Sequence, residues 1–163
     1  MMTRRQLITT GVAGVAAAMT ATWRTGHVDA APAFEVTHTD AEWKKLLTPD
    51  QYAVLRHEAT ERPYSSPLLH EARRGTFACA GCGLDLFSST TKYDSRTGWP
   101  SFWAPLEKAV INTRDFSAGM DRTAVSCRRC GGHLGHVFDD GPKPTGLRYC
   151  MNGAAMIFKP ATT

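Results

Sequence analysis

Five cysteines constrain this chain more than any other feature. Four fall into two matched pairs, Cys79-x2-Cys82 and Cys127-x2-Cys130, and the fifth, Cys150, stands alone in Arg148-Tyr149-Cys150-Met151-Asn152. Two residues between paired cysteines let a tight turn aim both sulfurs at one ion, and four thiolates complete a tetrahedral zinc shell. The pairs are 44 residues apart, positions 83 to 126. That is longer than short zinc fingers allow, so the metal would staple two distant segments of one domain. Two disulfides, or inert buried thiols, are the competing readings. A disulfide across C-x-x-C strains a small ring, and redox-active ones usually come singly on a βαβ unit, so one structural zinc ion held by all four paired cysteines is the expectation.

The start of the chain sets the compartment in which those thiols work. Thr3-Arg4-Arg5-Gln6-Leu7-Ile8 leads into an uncharged stretch rich in Ala, Gly, Val and Thr as far as Trp23, with small residues around Ala30, Ala31 and Ala33. This has the form of a twin-arginine signal peptide. An uncleaved anchor is the alternative, since the 18 residues from Gln6 to Trp23 would span about 27 Å as a helix. Thr9, Thr10, Gly11, Gly14 and Thr20 would make lipid hold that helix weakly. Residues 1–33 are therefore expected to be a signal, cleaved near Ala30 or Ala33, that delivers the protein to the periplasm without stable membrane association. Export to an oxidising compartment favours disulfides. A route that carries folded proteins would let the metal load first.

Residues 1–30 hold Arg4, Arg5, Arg24 and Asp29, a net of +2, so the formal +4 of the chain falls to +2 in the remainder. Acidic residues are interspersed throughout, which disfavours nucleic acid as a partner, because such binders carry a basic stripe. Residues 34–163 are one domain's worth of chain, enough to bury roughly two-thirds of its unfolded surface. Thr39-Asp40-Ala41-Glu42 reads as a capping box opening a short helix through Trp43, Leu46 and Leu47. Thr48-Pro49-Asp50-Gln51 opens a second through Tyr52, Val54 and Leu55. From Gly75 onward, short apolar or alternating runs separated by Gly, Pro, Asn and Asp predict antiparallel β structure, with the cysteine pairs at turns within residues 77–86 and 124–134.

Three segments carry candidate chemistry. If Arg148 to Asn152 is extended, Arg148, Cys150 and Asn152 share one face, so a guanidinium and an amide flank one sulfur. Positive charge favours the nucleophilic thiolate, although a free cysteine is just as often a small buried hydrophobe. Gly131-Gly132-His133-Leu134-Gly135-His136-Val137-Phe138 sets two histidines three apart in what reads as a tight loop. They could serve as acid, water-positioner or metal ligands, and with four cysteines on zinc the first two fit better. Gly98-Trp99-Pro100-Ser101-Phe102-Trp103 supplies aromatics for the core or for an apolar pocket wall.

Two C-x-x-C pairs, G-W-P-S-F, G-G-H-L-G-H-V-F, D-G-P and R-Y-C-M-N in this order resemble the B-type methionine-(R)-sulfoxide reductases in their zinc-containing form, over roughly residues 39–159. The resemblance implies a mainly β, β-tent-like fold of two antiparallel sheets with short N-terminal helices. It implies reduction of methionine (R)-sulfoxide, free or in oxidised proteins, to methionine. It makes Cys150 the nucleophile and Cys79, Cys82, Cys127 and Cys130 zinc ligands. Trp99 would pack on the substrate methyl with Phe138 beside it. His133, His136 and Asn152 would position a water or protonate the sulfoxide oxygen, and Arg148 would hold the thiolate. Many members carry a resolving cysteine just before G-W-P-S-F, where this chain has Thr97. A thioredoxin-like protein or small thiol is then the expected reductant of a monomeric enzyme. A zinc-stapled binding or chaperone-like module, and a disulfide-stapled exported protein with one leftover thiol, remain the alternatives.

Overall fold

The computed structural model describes residues 34–162, without the side chain of Ala118; the export segment expected over residues 1–33 lies outside them. Helix α1 (Asp40–Leu46) begins at the expected capping box, with the Thr39 hydroxyl accepting from the Glu42 N–H and the Glu42 carboxylate accepting from the Thr39 N–H. Helix α2 (Pro49–His57) repeats the device with Thr48 and Gln51, and places Pro49 in the first turn, where a missing N–H costs nothing. Both are shorter than the roughly 12 residues at which an isolated helix becomes marginally stable, so packing sustains them. Trp43, Val54 and Leu55 provide it, each about 3% exposed.

Among the described residues nine strands follow: β1 (Gly75–Cys79), β2 (Asp85–Ser88), β3 (Lys92–Tyr93), β4 (Ser101–Phe102), β5 (Val110–Asp115), β6 (Arg122–Cys127), β7 (His133–Phe138), β8 (Arg148–Met151) and β9 (Met156–Pro160). They form two antiparallel sheets, ordered β2-β1-β9 and β3-β4-β8-β7-β6-β5, in agreement with the expected mainly β fold. The core joins the sheets through aromatic rings. Phe87 of the small sheet stacks on Phe102 of the large one at 4.4 Å, Phe77 meets Phe102 edge-on at 5.0 Å, and Tyr149 closes the cluster against Phe87. Fully burying each such ring contributes about 1.5–3 kcal/mol.

The last stretch of the chain holds two strands, β8 and β9. After β8 a 3-10 turn, Gly153–Ala155, carries the backbone from the large sheet into β9 of the small sheet. Cys150 and Asn152 therefore sit at the passage between sheets.

Candidate active site

Each C-x-x-C pair forms the turn of a hairpin. In β1–β2 the Cys79 N–H donates to the Leu84 carbonyl and the Gly83 N–H to the Cys79 carbonyl, both at 2.8 Å; in β6–β7 Cys127 donates to Gly132 at 2.8 Å and Gly131 to Cys127 at 2.9 Å. Gly83 and Gly131 hold φ values of 70° and 69°, the left-handed conformation that reverses the chain directly after the second cysteine. The four sulfurs come within 4.8 Å of one another, with approaches that cross between hairpins of 3.7 Å from Cys79 to Cys130 and 3.5 Å from Cys82 to Cys127. A disulfide needs about 2.05 Å, whereas zinc at about 2.3 Å from each sulfur spaces tetrahedral thiolates about 3.8 Å apart. The set fits one shared ion, and none of the five cysteines is in a disulfide. Arg129 donates to the Cys82 carbonyl and Arg56 to the Cys130 carbonyl, which ties the knuckles to each other and to α2.

Cys150 is not part of that cluster. It lies in the interior of β8, with Ser101 opposite it on β4 and His136 opposite it on β7. Strand alternation sends Tyr149 and Met151 into the core and leaves Arg148 and Cys150 half-buried on the other face, as the sequence pattern predicts. There Cys150, His136, Phe138, Trp99 and Asn152 line a pocket of about 150 Å³, completed by Thr60, Arg122 and Gly135. That volume suits the tip of one side chain.

The two histidines reach one side of the sheet by a route the sequence reading did not foresee. They belong to strand β7 and not to a loop, and in a regular strand residues three apart face opposite ways. The β6–β7 pairing slips between Val125 and Ser126, so that Gly135 opposes Val125 while His133 opposes Ser126, and Leu134 is the extra residue of a bulge. The rings then meet edge to face, with centroids 5.3 Å apart. Gly135 lets β7 lie close against β8, because a Cβ there would collide with the Cys150 carbonyl.

Their environments differ. His136 places Nε2 2.8 Å from Asp115 Oδ2, which fixes its ring and puts the proton on that nitrogen. Asp115 stays ionised well below the usual carboxylate range, chiefly because it accepts the Ser117 N–H and then through His136. His133 is 3% exposed, neither ring nitrogen has a partner among the described residues, and burial pulls its pKa down to about 4. It backs His136 without lining the pocket.

Asn152, also 3% exposed, donates Nδ2 to the Leu134 carbonyl at 3.1 Å and accepts the Glu61 N–H at 3.0 Å. Trp99 donates its indole N–H to the Glu61 carbonyl at 3.2 Å. The Arg148 guanidinium is engaged bidentately by Asp140 at 2.8 Å and lies 4.3 Å over the Phe138 ring, so it stands on the sulfur's face as a fixed charge. Thr97 Oγ1 is 3.7 Å from Cys150 Sγ and joins a row of hydroxyls through Ser95 to the fully buried Ser101.

Residues 47–160 match the model of the SelR domain. The chain belongs to the SelR family. Proteins named peptide methionine sulfoxide reductase MsrB are similar to it across most of its length. The protein from Leptospira interrogans is 52% identical over 127 residues, 77% of this chain and 97% of the relative. That from Bradyrhizobium diazoefficiens is 55% identical, covering 77% and 91%. That from Methanosarcina barkeri is 51% identical over 125 residues, covering 76% and 88%.

In this SelR domain every residue singled out from sequence falls in one of two places. The four paired cysteines share the knuckle cluster, and Cys150, His136, Asn152, Trp99 and Phe138 share the pocket, with Arg148 and His133 as their neighbours. Sequence reasoning missed Asp115, Glu61, Thr60 and Arg122. Asp140 lay within the D-G-P motif but had no partner assigned. None of the missed residues sits in a distinctive local pattern, and Asp115 and Glu61 act on residues 21 and 91 positions away.

Proposed function

We propose that this chain reduces methionine (R)-sulfoxide, free or within proteins, to methionine through a sulfenic acid on Cys150. One observation carries the reading: four sulfurs gather at the hairpin turns while the fifth opens onto a pocket with an indole wall and an oriented imidazole. The names of the MsrB relatives support the same chemistry.

The Cys150 thiolate attacks the substrate sulfur, the sulfoxide oxygen takes up a proton, and oxygen ends on Cys150 as methionine leaves. Cys150 loses two electrons and the substrate sulfur gains them. Sulfoxide oxygen leaves poorly until protonated, so the site needs a donor beside its nucleophile. His136, held by Asp115 through Nε2 and standing opposite Cys150, fills that role when its other ring nitrogen also carries a proton, and the Asn152 amide hydrogen-bonds the same oxygen. His133, kept neutral by burial, supports the His136 ring. Trp99 and Phe138 enclose the methyl group, and Arg148, fixed by Asp140, supplies positive charge on the sulfur's side of β8.

Two thiols close the cycle. The first displaces water from the sulfenic acid to leave a mixed disulfide, and the second releases Cys150. Thr97 stands beside Cys150 in place of a resolving cysteine, so the donor is an external thiol, a thioredoxin-like protein or a small reductant. Cys79, Cys82, Cys127 and Cys130 hold one zinc ion, which cross-links the two hairpins. The Arg4-Arg5 segment supports an exported enzyme.

A diastereomer-resolved assay on blocked methionine sulfoxide with dithiothreitol tests the reading. The parent protein consumes the R epimer, and Cys150→Ser loses on the order of 10³-fold or more while retaining its metal. Equal rates from the two proteins would overturn it, and an intramolecular disulfide at Cys150 after one turnover without reductant would overturn the external donor.

A further inference from the structure

Glu61 belongs to a segment without regular structure between α2 and the next 3-10 turn, Pro67–His70. No ladder consumes its backbone groups, and it spends all of them on the pocket. Its N–H holds Asn152 Oδ1 at 3.0 Å, and its carbonyl holds the Trp99 indole at 3.2 Å. Its carboxylate accepts the N–H groups of Gly153 and Ala154 at 2.6 and 2.8 Å. One half-buried residue thus touches both walls that face the substrate and the turn that follows Cys150.

The last contact has a consequence for Asn152. That residue occupies the N-cap position of the Gly153–Ala155 turn, where asparagine is among the preferred residues because its side-chain oxygen accepts the turn's free N–H groups. Here it makes no such bond. The Glu61 carboxylate caps the turn instead, with two charge-assisted hydrogen bonds that a neutral amide oxygen cannot match. Asn152 is thereby released from capping and turned toward the pocket, where the Glu61 N–H and the Leu134 carbonyl hold its amide. Space reinforces the exchange. A Cβ on Gly153 would collide with Ser66 and stand 3.4 Å from Glu61 Oε1, so glycine there lets the segment close on the turn.

We infer that Glu61 is a positioning residue that keeps Asn152 out of the cap of its own turn and sets the Trp99 indole. The inference rests on the sulfoxide-reductase reading for its kinetic consequence and on hydrogen bonding alone for its structural one. Removing the carboxylate leaves the Gly153 and Ala154 N–H groups without their acceptor, and Asn152, at the N-cap position, carries a side-chain oxygen of the kind that takes them.

The test compares full-length parent, Glu61→Ala, Glu61→Gln, Asn152→Ala and the Glu61→Ala/Asn152→Ala double variant. Glu61→Ala is expected to lower kcat/KM on blocked methionine sulfoxide by about 10- to 100-fold, with Glu61→Gln intermediate because it keeps one acceptor. Iodoacetamide alkylation of Cys150 and zinc content should match the parent, which loss of folding would not allow. In the Asn152→Ala background the further loss from Glu61→Ala should be clearly smaller, as for residues acting through one another. In ¹H–¹⁵N spectra, Glu61→Ala should shift the Trp99 indole resonance, assigned by its loss in Trp99→Phe, and the Asn152 side-chain amide pair. Unmoved resonances overturn the inference, as do fully additive losses or loss of zinc with a changed alkylation rate. An inactive parent defeats the proposed reaction only, and the resonances then decide Glu61 by themselves.

Discussion

The knuckle cluster and the Cys150 pocket hold the same element in opposite circumstances. At the hairpin turns each sulfur meets others across the gap, at 3.5 and 3.7 Å, and Cys79, Cys127 and Cys130 are buried. In the interior of β8 the neighbours of Cys150 are an imidazole, a hydroxyl and an indole, and the sulfur is half open to a pocket. Chemistry follows from what surrounds the sulfur. Thiolates that share a cation are quenched as nucleophiles, while an isolated one beside a proton donor is available for attack. Strand β7 links the two places, leaving the second knuckle at Cys130 and delivering His136 opposite Cys150 three residues after His133.

Breaking the knuckle side should have the largest effect. Chelation of the proposed zinc ion, or Cys127→Ala, is expected to unfold the domain, since structural zinc supplies about 10–16 kcal/mol in small domains and total stability is about 5–15 kcal/mol. Circular dichroism with zinc release recorded in parallel checks this, and a chelated protein that melts at the parent temperature would dissolve the comparison. His133 sharpens it next. The histidine binds its proton near pH 4 in the folded chain and near 6.5 when unfolded. Between those values the unfolded chain holds more protons, so stability is lost as pH falls from about 6.5 to about 4, by on the order of 3 kcal/mol. Urea unfolding at several pH values should show that slope in the parent and a shallower one in His133→Gln. The pocket side is tested last, by Asp115→Asn. Releasing the His136 ring should cost about 100-fold in kcat with zinc content and Cys150 alkylation unchanged. A variant that also loses metal would mean that Asp115 belongs to the knuckle side.

Much of this was legible along the chain because the signals are local. The Thr39 and Thr48 capping boxes each span four residues, and both helices begin where they predict. The C-x-x-C-Gly turns announce their own hairpins. Alternation over Arg148 to Met151 sorts core from pocket without reference to any partner strand. The histidine pair was harder, because a one-residue bulge is a property of two strands in register, and β7 alone reads as a glycine-rich loop. Arg148 was legible as a charge beside the sulfur, while its capture by Asp140 required the loop between β7 and β8 to fold back.

By itself the sequence determined which sulfurs are paired and which is alone, where the helices and turns begin, and which side chains share a face of β8. Each depends on spacing over a few residues, and backbone geometry enforces that spacing wherever the segment lies. Only the tertiary structure decided the partners: Asp115 for His136, Asp140 for Arg148, and Glu61 for Asn152 and Trp99. A hydrogen bond acts over about 3 Å of space whatever length of chain separates its ends, so those pairings exist only once both sheets have closed.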